Sequence, residues 1–125
     1  MNRLEKYTVL GVIAAGLFAA FSTLGASAAQ AGTFVCSPQE VAYFENRVHV
    51  LCINSTFDRA TGATIRYIAV PVADPAAVAM LTSFGTAGFA FSRGLRVTFQ
   101  DGDLSGEEYG CIAGDCRRPL SIVFE

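Results

Sequence analysis

Four cysteines constrain this chain more than any other feature. Cys36, Cys52, Cys111 and Cys116 all follow a long apolar segment at the N-terminus. An even set of cysteines behind such a segment predicts two disulfides made in an oxidising compartment. Local pairing is expected, Cys36 with Cys52 and Cys111 with Cys116. The first bond closes about 16 residues and would contribute ~3 kcal/mol in the chain-entropy model. The second closes a tighter loop and contributes less by that route. The late pair is spaced Cys-x4-Cys, which argues against a thioredoxin-type redox pair. Two cysteines and one distant histidine, His49, also make a poor zinc set, so no metal or other cofactor is expected.

The apolar segment has the layout of a secretory signal peptide. Arg3 and Lys6 give a basic start, TVLGVIAAGLFAAFSTL is apolar or small, and Ala26-Ser27-Ala28 and Ala29-Gln30-Ala31 are Ala-x-Ala sites. A leader is therefore expected over residues 1–31, cleaved after Ala31 or, as second choice, after Ala28. The run of about 17 residues reaches the lower edge of spanning length, so an uncleaved anchor is the competing reading. Cleavage leaves one small domain over residues 32–125, periplasmic or secreted, with no stable membrane span. Acidic residues outnumber basic ones there, and every cation is Arg. No basic stripe exists for nucleic acid to follow, so none is an expected partner.

Along the domain, Val41 and Tyr43, then Val48, Val50 and Cys52, alternate with their neighbours around Glu45-Asn46, which predicts a hairpin over Glu40–Ile53. Asn54–Thr64 is polar and reads as a loop bent at Gly62, and Ile65–Val72 reads as a buried strand ending near Pro71. Asp74-Pro75 predicts a helix start, with Asp capping free N–H groups and Pro tolerated in the first turn. Ala77, Val78, Leu81 and Phe84 form its apolar face to about Ala90, and Gly94 would stop it. Gly85 and Gly88 either break this helix or let it approach a sheet closely. Leu95, Val97 and Phe99 face one way in a half-buried strand, and a long acidic, glycine-rich connection follows. Leu120–Phe124 is a last short strand, with Leu120, Ile122 and Phe124 entering the sheet. This order predicts a mainly β domain with one helix, a small five-stranded OB-like barrel braced by disulfides.

The run IRYIAVPVADPAAVAMLTSFGTAGFAFSRGLRVTFQ, with RVHVLC before it and GCIAGDC after it, resembles the B subunits of bacterial AB-type toxins, those of the subtilase cytotoxin kind in particular. The resemblance spans roughly residues 41–124 and rests on pattern. It implies a secreted, non-catalytic, often pentameric module that binds glycans. None of that family's sugar-binding residues maps onto a position of this chain.

Three candidate sites come from the residues themselves. Asp101, Asp103 and Ser105, with Gly106, follow the opening of a calcium loop. Ile112 stands where the loop needs a bidentate Glu, so the stretch is expected to be a solvated acidic turn pinned by Cys111–Cys116. His49 would need a nucleophile and an orienting acid beside it for catalysis, and a structural or surface role is expected instead. Arg117 and Arg118 follow Cys116 directly. Two guanidinium groups on a pinned loop could receive a carboxylate or sulfate, the competing reading being pairing with the acidic residues 101–108. Asn54-Ser55-Thr56 also matches the glycosylation sequon. With no convergent set of titratable residues, the expected function is non-catalytic binding of a glycan or protein, as a homo-oligomer if the resemblance holds. The alternative is a small periplasmic enzyme or enzyme inhibitor.

Overall fold

The computed structural model describes residues 31–125, so the expected leader, apart from Ala31, lies outside the described residues. Strands β1 (Ala31–Cys36), β2 (Pro38–Tyr43), β3 (Arg47–Phe57) and β4 (Thr64–Pro71) precede helix α1 (Pro75–Phe91). Strand β5 (Leu95–Gln100), a 3₁₀ turn (Ser105–Tyr109), β6 (Cys116–Arg117) and β7 (Pro119–Phe124) follow it. The expectation of a mainly β domain with one helix and two disulfides holds. The five-stranded barrel needs correction, because the strands form two open sheets, ordered β1-β5-β7 and β2-β3-β4-β6.

The difference comes from strands with little local signal. β1 pairs with β5 along its whole length, from Ala31 opposite Gln100 to Cys36 opposite Leu95. β6 is only two residues long and lies parallel to β4, with Cys116 opposite Tyr67. β3 also continues through Asn54 to Phe57, where a loop was expected, after an irregularity in register beyond Leu51.

The core lies between the sheets and α1. Alternation along β3 and β4 sends Val48, Val50, Cys52, Ile68 and Val70 into it, joined by Leu81 of α1 and Leu95 and Val97 of β5. Burying a side chain of this size is worth roughly 1.5–3 kcal/mol each. The Cys36–Cys52 bond ties the end of β1 to β3, and so one sheet to the other. In β7 the inward set shrinks to Ile122; Leu120 is 60% exposed and Phe124 37%. The register of β5 against β7 shifts between Thr98 and Phe99, so Leu120 has no partner, and Phe124 sits at the sheet edge beneath the Arg93 guanidinium.

Helix α1 begins as its cap predicts, with Asp74 Oδ1 accepting from the Ala77 N–H at 3.2 Å. It runs unbroken through both glycines, which are contact points. A Cβ on Gly85 would stand 2.8 Å from Val50 Cγ2, and one on Gly88 2.9 Å from Pro38 Cγ. The helix ends at Phe91, one residue past the expected Ala90, and its C-cap in the left-handed region is Ser92, at φ 52°, in place of the expected stop at Gly94.

Candidate functional site

The outer face of β3 and β4, away from α1, carries the side chains that alternation leaves out of the core: Arg47 and His49 on β3, Tyr67 and Ala69 on β4. The connection after β5 folds over this face. Tyr109, Cys111 and Cys116 bury themselves against Ala69 and Tyr67 in a second, small apolar cluster. The Tyr109 hydroxyl donates to the Ala69 carbonyl at 3.3 Å, and burial pushes its pKa up. Beside this cluster a hollow of about 190 Å³ remains, walled by Arg47, His49 and Tyr67 on the sheet side and by Gly110, Ile112, Asp115 and Cys116 on the loop side. It is smaller than the 300–1,000 Å³ usual for drug-sized ligands, and suits a single ring-sized group.

Each sheet-side residue is held by its surroundings. The His49 ring lies 4.9 Å from Phe44 and 5.1 Å from Tyr67, centre to centre, and its Nε2 is 3.3 Å from Glu40 Oε1. The Arg47 guanidinium sits 4.2 Å over the Phe44 ring and donates to Asn46 Oδ1 at 3.2 Å, a cation–π arrangement that fixes a long side chain. Gly110 makes room for it. Gly110 has φ +87°, and a Cβ there would stand 2.7 Å from Arg47 Nη1. On the loop side, the Asp115 carbonyl accepts from the N–H groups of Arg66 and Tyr67, both at 2.9 Å, which seats the loop on β4. The Cys111–Cys116 bond closes that loop.

Arg117 anchors the loop from below and does not project from it as the sequence suggested. Its side chain is fully buried, and Nε donates to Asp58 Oδ2 at 2.7 Å. Nη1 donates to the carbonyls of Ala113 and Cys116, at 2.6 and 2.7 Å, and Nη2 to Thr61 Oγ1 at 3.2 Å. Asp58 also accepts from the N–H groups of Ala60, Thr61 and Gly102. Burial by itself would raise the Asp58 pKa, but the hydrogen bonds from Gly102, Arg117, Ala60 and Thr61 outweigh it and hold the group at about 2. One carboxylate and one guanidinium thus tie three connections together. Arg118 turns the other way, with its side chain 41% exposed and Nη2 3.8 Å from Asp74 Oδ2 at the start of α1. The two arginines therefore do not form one binding pair.

Two carboxylates of the acidic stretch are engaged within the fold, while Glu107 and Glu108 are exposed. Asp101 Oδ2 takes the Arg59 Nε–H at 2.7 Å, and Asp103 Oδ1 caps the Ser105 N–H at 3.0 Å. Among the described residues no group of three or more His, Cys, Asp and Glu side chains is arranged to hold a metal. Asn54, the sequon residue, bridges β3 to the β1–β2 corner; its Oδ1 accepts from Ser37 N at 2.9 Å and its Nδ2 donates to the Val35 carbonyl. Among the described residues no helix is long and apolar enough to cross a membrane. Sequence reading missed Asp58, Tyr67 and Asp115 as site residues. Only the outward phase of Tyr67 within β4 offered a signal, and partners far away in sequence decide the other two.

In comparisons with known proteins, no family model, no curated protein and no solved structure matches this chain.

Proposed function

We propose that this chain is an exported, non-catalytic binding module that holds one residue of a glycan in the hollow between β3, β4 and the disulfide loop. The observation that carries the reading is the make-up of that hollow, in which the ring surfaces of Tyr67 and His49 adjoin the polar groups of Arg47 and Asp115. A sugar residue presents an apolar ring face and a rim of hydroxyls, and such a mixed wall answers both. His49 is packed between two rings with its Nε2 towards Glu40, which favours a positioning role over proton transfer. Both cysteine pairs are oxidised, which takes the four thiols out of nucleophilic chemistry.

Kinship with toxin B subunits belongs to the same reading, as does self-association through the open edges of β2 and β7, where Tyr43, Leu120 and Val123 are exposed. Export rests on the leader. The test is a glycan screen on purified mature chain, with its mass in solution measured alongside. Arg47→Ala and Tyr67→Ala are each expected to weaken the best glycan at least tenfold, about 1.4 kcal/mol. Unchanged binding in both variants would remove the hollow as the site, and capture of a protein partner with no glycan bound would replace the ligand class.

A further inference from the structure

We propose that the Cys111–Cys116 disulfide is a reducible latch on the hollow: a dithiol reductant opens the loop-side wall and empties the site while the main core stays folded. The inference rests on reading the hollow as a ligand site. The two disulfides occupy different surroundings. Cys36 and Cys52 are fully buried within the main core, between the two sheets. Cys116 lines the hollow, and its bond belongs to the small outer cluster. In that cluster two of the four buried residues, Ala69, Tyr109, Cys111 and Cys116, are the bonded cysteines themselves. The wall on this side is thin, since Ile112 is 69% exposed.

The anchors at both ends of the loop do not depend on the bond. Upstream, Tyr109 is tied to Ala69, and downstream Arg117 is tied to Asp58. Between them lie Gly110 and Gly114, and at Gly114 a Cβ would meet nothing within 4 Å. Glycine gains the most backbone freedom once a constraint is removed. Cutting the crosslink therefore leaves residues 111–116 without a covalent tie, held by hydrogen bonds such as those from the Arg66 and Tyr67 N–H groups to the Asp115 carbonyl and from Arg117 to the Ala113 and Cys116 carbonyls, so that they open as a local unit while β3, β4 and β5 stay in place.

The chemistry balances with a dithiol as reductant. One of its thiolates attacks Cys116 Sγ, the Sγ–Sγ bond breaks, and Cys111 leaves as a thiolate that takes up a proton. The reductant's second thiol then attacks the mixed disulfide, releases Cys116 as a thiol and leaves the reductant as a cyclic disulfide. The chain gains two electrons and two protons in all.

The test treats the folded mature chain with graded dithiothreitol, traps free thiols with iodoacetamide, and locates the label by peptide mass. Cys111 and Cys116 are expected to be labelled at least tenfold faster than Cys36 and Cys52. Hydrogen exchange at residues 111–116 is expected to quicken at least tenfold, while residues 48–52 and 65–70 keep their protection. A Cys111→Ser, Cys116→Ser variant should reproduce the loosened loop without reductant. Retention on an immobilised panel of mixed cell-surface glycans should fall at least tenfold in both forms. Opening of both bonds together, unfolding of the core, a loop that stays protected, or retention that survives selective reduction would each overturn the latch. Selective opening of the loop, with no glycan retained even by the untreated oxidised chain, would uphold the opening and remove the glycan reading alone.

Discussion

Removing the Asp58 carboxylate is expected to cost the domain about 3–5 kcal/mol, the range for stripping one partner from a buried ion pair. Asp58 and Arg117 are both fully buried, and the carboxylate takes hydrogen bonds from Arg117 and from three backbone N–H groups. Its pKa of about 2 lies below the usual 3.8; the difference alone corresponds to about 2 kcal/mol of preference for the ionised form. Asp58→Ala goes further, because it leaves the Arg117 guanidinium buried with only carbonyl and hydroxyl partners. For a domain of this size each kcal/mol lowers Tm by roughly 4–8 °C, so a fall of at least about 12 °C is expected at neutral pH. Thermal unfolding followed by circular dichroism measures it. Adding Arg117→Met to Asp58→Ala should recover part of the loss, since no uncompensated charge then remains. A fall of less than about 4 °C for Asp58→Ala, equivalent to roughly 1 kcal/mol, would refute the argument. So would a double variant less stable than the single one. The pH dependence has a definite sign. The Asp58 pKa is depressed on folding, so its contribution is present above 3.8 and is lost as pH falls towards 2. Asp58→Ala should remove that part of the acid loss.

Gly85→Ala should destabilise by about 1–3 kcal/mol despite the better helix propensity of Ala, because its Cβ would press on Val50 and Val41 methyls; urea midpoints check this. Gly110→Ala, at φ +87° and against Arg47 Nη1, should cost about 1–2 kcal/mol and displace Arg47; any glycan that Arg47→Ala weakens should be weakened here too. Asn54, whose amide ties β3 to Val35 and Ser37, should carry no glycan when the chain is secreted from a glycosylating host, and intact mass will show whether it does.

The elements legible in the sequence are those whose cause is local. The β2–β3 hairpin and β5 follow from alternation, the start of α1 from Asp74-Pro75, and both disulfides from spacing, and each is found in the fold. A cap or an alternation is complete within a few residues, so the sequence alone determines it. The rest depends on partners distant along the chain. β1 becomes a strand because β5 lies beside it, and β6 exists only where the disulfide loop meets β4. Arg117 and Arg118 look alike in sequence, yet Asp58, 59 residues away from Arg117, draws the first into the interior while the second stays half-exposed near Asp74. The hollow likewise needs the sheet, the 3₁₀ turn and the disulfide loop at once. Tertiary structure decided these features because a buried charge must find its counter-charge, and an unpaired strand edge its neighbour, wherever in the chain they occur.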